Sequence, residues 1–112
     1  MKLKTARIIF TINAMKLIRY INEQPDTQCT ISYVVRSERE QKWLHEMKLG
    51  SKISKHTEGL AIDINLYING VYQTTTEAHK KYGEYRKGLN NEDRWGGDFK
   101  NKDGNHYEYN PK

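Results

Sequence analysis

Two segments of the sequence combine histidine with carboxylates at spacings that could do chemistry, and a third lies between them. The segment SKHTEGLAID places His56 and Asp63 seven positions apart across a glycine. The segment DGNHYE places Asp103 three positions before His106. Between them lies the glycine-rich segment RWGGDF. Imidazoles and carboxylates bind metal ions and move protons, so these segments are the first candidates for a functional site.

Two imidazoles and one carboxylate form the ligand set of an open catalytic zinc site, whose fourth position is left for water. His56, Asp63 and His106 offer such a set. Zinc lowers the pKa of a water molecule toward about 7. A second carboxylate can then pass the proton to a leaving amine, and an arginine can stabilise the oxyanion. The chain offers Asp103 for the first of these roles and Arg36 for the second. The residues are therefore compatible with hydrolysis at a zinc ion, and the alternative for each of them is an ordinary surface or hydrogen-bonded side chain.

The strands that must position these ligands can be recognised from alternation. Residues 61–73 alternate apolar and polar side chains around Asn69-Gly70, which is typical of a β-hairpin with a type I′ turn. The alternation places Asp63 on the face opposite the isoleucines, and a carboxylate in such a strand needs a partner. A short strand at residues 106–109 is predicted to carry the second histidine.

The N-terminal half of the chain predicts two helices around one strand. Residues 4–23 have helical periodicity, and the buried stripe is expected to contain Ile8, Ile12, Met15, Leu17, Ile18 and Ile21. Residues 30–36 are β-branched and aromatic, which predicts a strand. Ser37 and Glu40 then form a capping box that begins the second helix.

A further helix and a loop follow the hairpin. Thr74 and Glu77 form another capping box, and residues 90–105 have no period and predict an irregular, functional loop. His45 and His79 lie among charged residues of the predicted helices, so we expect both on the surface.

Length and composition limit the class of protein. A chain of 112 residues predicts one domain, residues 1–112. The single cysteine excludes a disulfide scaffold and a zinc site built from several thiolates. No apolar run approaches the roughly 20 residues of a membrane span, and the N-terminus lacks the apolar stretch of a signal peptide. We therefore expect synthesis in the cytoplasm and no membrane insertion.

The charge admits a different class of partner. The net charge is +5, from 19 basic and 14 acidic side chains, and lysine-rich domains with many tyrosines can bind nucleic acid. The basic residues are scattered along the chain and no nucleic-acid-binding motif is found, so we expect no nucleic-acid partner.

The ordered set of motifs resembles the zinc-dependent peptidoglycan peptidases. The pattern SxHxxGxAxD followed by DxxH is the specific part, and Arg-Ser followed by Glu-Gln, together with WGGDF, adds to it. This family includes D-alanyl-D-alanine carboxypeptidases and dipeptidases, and phage endolysins that cut L-alanyl-D-glutamate. The resemblance spans residues 30–108.

The resemblance implies roles position by position. The zinc ligands fall on His56, Asp63 and His106, the acid/base carboxylate on Asp103, and the arginine that contacts the substrate carbonyl on Arg36. Positions that line or brace the substrate site match Ser54, Trp95 and Asp98. The implied fold is α+β, with helices packed on a small antiparallel sheet that carries the zinc. This arrangement is the one called DD-peptidase-like or hedgehog-like.

The sequence leaves one residue role and several activities open. Glu108 shares a strand face with His106 and is either a partner that orients the imidazole or a surface carboxylate. We expect a monomeric phage or prophage endolysin that cuts L-alanyl-D-glutamate in the peptidoglycan stem peptide after release to the cell wall. The alternatives are a D-alanyl-D-alanine carboxypeptidase or dipeptidase, and a non-catalytic zinc-stabilised module that binds the cell wall.

Overall fold

The computed structural model describes residues 1–34, 37–48 and 54–111. In these ranges the chain forms four α-helices, five β-strands and one 3₁₀ turn. In chain order the elements are α1 (Leu3–Glu23), β1 (Thr27–Tyr33), α2 (Glu38–Glu46), α3 (Lys55–Glu58), β2 (Ala61–Ile68), β3 (Val71–Tyr72), α4 (Thr76–Leu89), β4 (Asp93–Trp95), the 3₁₀ turn (Gly96–Asp98) and β5 (His106–Tyr109).

The five strands form one antiparallel sheet, which together with the helices confirms the predicted α+β fold. The strand order is β1-β2-β5-β4, and β3 pairs with the end of β2. Asn69 and Gly70 have φ angles of 52° and 74°, as a type I′ turn requires, so the predicted hairpin is confirmed. In the β2–β5 pair, Asp63 lies directly opposite His106. The register of the sheet therefore brings together two of the predicted ligands.

The hydrophobic core lies between the sheet and the helices α1 and α4. The larger buried apolar side chains come from α1, from β2 and the residue before it, and from α4, β4 and β5; they are Phe10, Leu17, Ile21, Leu60, Ile62, Ile64, Leu66, Tyr82, Trp95, Tyr107 and Tyr109. Burying one aliphatic side chain of this size contributes about 1.5–3 kcal/mol. Apolar residues of β2 face this core, so Asp63 lies on the opposite face of the strand.

The buried face of α1 differs from the prediction. Leu17 and Ile21 are buried as expected, but Ile8, Ile12 and Met15 are 52%, 44% and 61% exposed. The buried stripe consists instead of Ala6, Phe10, Asn13, Ala14, Leu17 and Ile21. The helix has two apolar stripes, and the one that contains the two alanines is the one that packs into the core.

The buried face of α4 was also not predicted. His79 is buried, and its Nδ1 lies 3.3 Å from the hydroxyl of Tyr107, so the expected surface position is wrong. Arg86, two helical turns further on the same face, is fully buried, and its Nη1 donates to Asp93 Oδ2 at 2.5 Å. Burial raises the pKa of Asp93 to about 6, against the opposing charge of Arg86. Two polar side chains of α4, His79 and Arg86, thus face the interior although the residues beside them in the sequence are charged.

Some boundaries move relative to the sequence. Thr75 rather than Thr74 caps α4, because the Oγ1 of Thr75 accepts the backbone N–H of Ala78. The predicted loop at residues 90–105 contains β4 and the 3₁₀ turn, and β1 begins three residues before the predicted strand. His45 is exposed, as expected. No helix in the described ranges is both long enough and apolar enough to cross a membrane.

Candidate active site

The structure brings His56, Asp63 and His106 together at the end of the sheet. One ligand atom from each residue lies within 4.8 Å of the other two. Oδ1 of Asp63 is 3.1 Å from Nε2 of His56 and 3.1 Å from Nδ1 of His106. Both imidazoles are buried, with 2% and 7% of their surface exposed, whereas Asp63 is only partly covered. The three side chains form a compact cluster of two nitrogens and one oxygen that could hold a metal ion.

His56 is positioned by the one-turn helix α3. The hydroxyl of Ser54 caps this helix by accepting the backbone N–H of His56, and Gly59 ends it in the left-handed conformation with φ of 73°. Nδ1 of His56 lies 3.0 Å from the carbonyl oxygen of Val34. Because a carbonyl only accepts, Nδ1 carries a proton, and Nε2, which faces Asp63, is the ring atom left to bind a metal ion.

His106 is positioned by β5 and by a carboxylate two residues further along the strand. Its Nε2 lies 2.8 Å from Oε1 of Glu108, which is buried. The hydrogen bond keeps a proton on Nε2 and directs Nδ1 toward Asp63. Arg94, on the neighbouring strand, has its Nε 3.7 Å from the other oxygen of Glu108. Of the two roles left open for Glu108, the structure therefore shows the buried partner that orients the imidazole.

The electrostatics of the cluster favour positive charge. Burial pushes the pKa of His106 down, but hydrogen bonds to Asp63 and Glu108 outweigh burial and raise the pKa to about 9. Burial pushes the pKa of Asp63 up, and hydrogen bonds with His106 and His56 outweigh it and lower the pKa to about 2. Two carboxylates beside two buried imidazoles attract a cation. A donor set of two nitrogens and one carboxylate oxygen also suits zinc, so the residues fit the predicted metal.

Asp103 lies in the turn that precedes β5, and the glycine-rich segment braces this turn. The backbone N–H of Asp103 donates to the carbonyl of Gly96 at 2.9 Å, and the indole N–H of Trp95 donates to the carbonyl of Gly104 at 2.7 Å. A Cβ on Gly96 would lie 2.1 Å from the carbonyl oxygen of Asp103. Glycine is therefore required for this close approach. The exposed Asp103 also lines a polar recess of about 210 Å³.

The other predicted site residues have different surroundings. Ser54 acts on the cluster through the cap of α3. Trp95 is buried and holds the turn before β5. Asp98 pairs with Lys87 of α4 at 2.7 Å. Arg36 lies outside the described residues. The contacts of Ser54 and Trp95 fit a bracing role, and substrate contact by any of these residues stays a prediction.

Sequence reasoning missed His79 and the buried ion pair of α4. A signal for both was present, because His79, Tyr82, Gly83 and Arg86 follow the i, i+3, i+4, i+7 spacing of a buried helix face. The lysines and glutamates around them obscured that spacing. None of these residues belongs to the His–Asp–His cluster.

The fold is similar to that of a solved peptidase structure. The crystal structure of the Serratia marcescens L-Ala D-Glu endopeptidase ChiX aligns with a TM-score of 0.69 at 22% sequence identity. The alignment covers 88% of this chain and 76% of that chain. A comparison with curated proteins gives no match. At this level of identity the structural likeness supports the fold.

A family model also matches the sequence directly. The model is described as D-alanyl-D-alanine carboxypeptidase, and the match covers residues 48–109. This is more than half of the chain, and the matched range contains the whole cluster of His56, Asp63 and His106 together with Asp103. The chain therefore belongs to the D-alanyl-D-alanine carboxypeptidase family of peptidoglycan peptidases, as its motifs indicated.

Proposed function

We propose that this chain is a zinc metallopeptidase that hydrolyses a peptide bond in the stem peptide of peptidoglycan. The observation that carries the proposal is the cluster of His56, Asp63 and His106, whose ligand atoms lie within 4.8 Å of one another in a peptidase fold. Such a set supplies three ligands and leaves a coordination position for a reactant. We further propose that the cleaved bond is L-alanyl-D-glutamate and that the protein acts as a phage or prophage endolysin.

The proposed metal would be held by Nε2 of His56, a carboxylate oxygen of Asp63 and Nδ1 of His106. When bound, zinc supplies Lewis acidity, which lowers the pKa of a water molecule toward about 7 and polarises a carbonyl. Glu108 holds the imidazole of His106 in the tautomer that leaves Nδ1 available. The carboxylates of Asp63 and Glu108 both lie beside the imidazole of His106, and their negative charges would offset the charge of a divalent ion.

Asp103 and Arg36 are proposed to act on the reactants. Asp103 takes the proton of the attacking water on its carboxylate and returns it to the nitrogen of the leaving amine. Arg36 donates hydrogen bonds to the oxygen of the scissile carbonyl as negative charge develops there. The turn braced by Gly96 and Trp95 fixes the backbone of Asp103 relative to His106, three residues away. Asp103 itself is exposed and lines a polar recess, and His56, Asp63 and His106 are not among the residues that line this recess.

Two activities in this family differ in the bond they cut. The solved structure with a similar fold is that of a protein described as an L-Ala D-Glu endopeptidase, and this likeness supports the proposal that the present chain cuts the same bond. The description of the matching family supports a D-alanyl-D-alanine carboxypeptidase as the second candidate. A non-catalytic cell-wall-binding module would retain the three ligands but gives no reason for a carboxylate at Asp103.

The deciding experiment is mass spectrometry of purified peptidoglycan after digestion, with and without a chelator. The endopeptidase releases stem peptides that begin with D-glutamate, whereas the carboxypeptidase removes only terminal D-alanine. We expect the first product, about one zinc per chain, and complete loss of products with chelator. Digestion at full rate in the presence of chelator, by zinc-free protein, would contradict the proposed chemistry.

The variant Asp103→Asn separates catalysis from metal binding. We expect it to retain zinc and to lose activity by at least about 100-fold, which is the usual contribution of general acid–base catalysis. Glu77→Gln is the matched control, because it removes the charge of an exposed carboxylate in the first turn of α4, outside the predicted site. If Asp103→Asn digests peptidoglycan as fast as the control, the role assigned to Asp103 is wrong.

A further inference from the structure

The positive charge of the protein is concentrated in its N-terminal helix. Residues 1–22 carry five basic side chains and no acidic one, and the 14 basic and 14 acidic side chains of residues 23–112 cancel. The whole formal net charge of +5 therefore belongs to residues 1–22, which are the two residues before α1 and all of α1 except its last residue, Glu23. Glu23 pairs with Arg19 at 2.7 Å. The five basic side chains are all exposed, and they are Lys2, Lys4, Arg7, Lys16 and Arg19.

The same helix exposes an apolar stripe on the side that faces away from the sheet. Ile8, Ile12 and Met15 are exposed, and their spacing of four and three residues places them on one face. At 100° per residue this face is opposite the buried stripe around Phe10 and Leu17. Lys4 and Arg19, at the two ends, fall on the same side of the helix. The outward face of α1, defined by Ile8, Ile12 and Met15 and the flanking basic residues, is amphipathic in its own right.

We propose that the outward face of α1 binds the surface of an anionic lipid bilayer, with the helix lying parallel to the membrane plane. A helix with exposed aliphatic side chains between lysines and arginines can bury the former at the headgroup boundary and pair the latter with lipid phosphates. The aliphatic side chains of Ile8, Ile12 and Met15 gain from leaving water for an apolar phase, and residues 1–22 carry no acidic side chain that an anionic surface would repel. The carboxylate of Glu23, at the end of the helix, is offset by its ion pair with Arg19.

Other occupants fit the outward face less well. A second copy of the chain would bring two like-charged helices together, which like-charge repulsion disfavours. A nucleic acid or an anionic wall polymer would pair with the lysines but would leave the aliphatic stripe in water, and the stripe offers no aromatic ring for base stacking. Surface binding needs no membrane-spanning helix, and it is independent of whether the protein is a peptidase.

The test is co-sedimentation of the full chain with lipid vesicles. Vesicles of phosphatidylcholine with an equal part of phosphatidylglycerol should bind the protein, and vesicles of phosphatidylcholine alone should bind it at least tenfold more weakly. Because each basic residue near such a surface contributes about fivefold to binding, Lys4→Gln with Lys16→Gln should weaken it by about 25-fold. Ile12→Gln should weaken binding by about tenfold through the lost apolar contact.

Matched controls are available on other surfaces. Lys80→Gln with Lys100→Gln removes the same charge from exposed sites outside α1, and Val71→Gln replaces an apolar side chain that is 61% exposed in the hairpin. Both controls should bind within about twofold of the parent, since general charge effects on a surface are screened. Arg7 is left unchanged because its Nε donates to the carbonyl of Glu58 at the end of α3.

The proposal is overturned by any of three results. The first is no binding to the mixed vesicles, and the second is an equal loss in the α1 variants and the controls. The third is a dimer in sedimentation equilibrium that Ile12→Gln dissociates, which would assign the stripe to a second copy. Thermal unfolding of each variant should match the parent, because every changed side chain is exposed.

Discussion

Removing the carboxylate of Glu108 should weaken zinc binding without removing a ligand. In Glu108→Ala, the Nε2–H of His106 loses an acceptor at 2.8 Å in a buried position. Leaving such a donor without a partner costs about 1–3 kcal/mol, and the imidazole is free to rotate or change tautomer. Mutation of a residue that orients a metal-binding histidine in this way typically lowers the metal affinity by about 10–100-fold. We therefore expect the zinc dissociation constant of Glu108→Ala to rise by about 10–100-fold.

The measurement is a competition for zinc against a coloured chelator, at fixed pH and ionic strength. Glu108→Gln keeps an oxygen acceptor for His106 but removes the charge, so we expect its loss to lie between that of the parent and that of Glu108→Ala. Glu77→Ala, which removes an exposed carboxylate from the first turn of α4, serves as the charge control and should bind zinc like the parent.

A second readout distinguishes orientation from a general loss of stability. The nitrogen chemical shifts of His106 report which ring atom carries the proton, and in the zinc-free parent the partners on both nitrogens predict a doubly protonated ring near neutral pH. Glu108→Ala should shift His106 toward a neutral ring. If Glu108→Ala binds zinc within about twofold of the parent and leaves these shifts unchanged, the orienting role of Glu108 is refuted, since orienting partners act at the tenfold level.

Three further predictions concern stability. Arg86→Met should lower the free energy of unfolding in urea by about 3–5 kcal/mol, because it leaves Asp93 buried without its cation, and adding Asp93→Leu should restore much of the loss. Gly83→Ala should cost about 1–3 kcal/mol, because the new Cβ would lie 2.2 Å from the indole ring at the end of β4, whereas Gly88→Ala in open space should stabilise α4 by roughly 0.5 kcal/mol. Burial lowers the pKa of His79, so the unfolded chain takes up this proton first and stability falls as the pH drops below about 6.5; a pH series of urea unfolding should show a smaller fall in His79→Gln.

The sequence predicted the elements with strong local signals. The hairpin around Asn69-Gly70 and the strand at residues 106–109 are confirmed, since alternation and turn chemistry are encoded within a few residues. The meeting of His56, Asp63 and His106 was predicted from motif order, and the β2–β5 register supplies its physical reason for the last two. These features depend on sequence neighbours or on one strand pair.

Features that depend on which surfaces meet were predicted less well. Ile8 and Ile12 are as apolar as the side chains that α1 buries, and nothing within the helix says which stripe faces the sheet. The spacing of His79 from Tyr82, Gly83 and Arg86 is that of a buried helix face, but its partner Tyr107 is 28 residues away in the chain. The charged residues near it in the sequence therefore led to the prediction of a surface position. The pairing of Arg86 with Asp93 likewise arises only when α4 packs against β4.

The geometry of the cluster rests on two kinds of support of unequal strength. Asp63 and His106 are fixed by strand register, and a slip of either strand by one residue would turn that strand's ligand toward the core, so the sheet specifies this pair strongly. His56 instead depends on a single helical turn, held by the hydroxyl of Ser54 at one end, by the left-handed Gly59 at the other, and by the guanidinium of Arg7 on the carbonyl of Glu58. Substitutions at these anchors act on the site through the position of one imidazole, and for this reason metal affinity should be more sensitive to changes around α3 than to changes of similar size in β2 or β5.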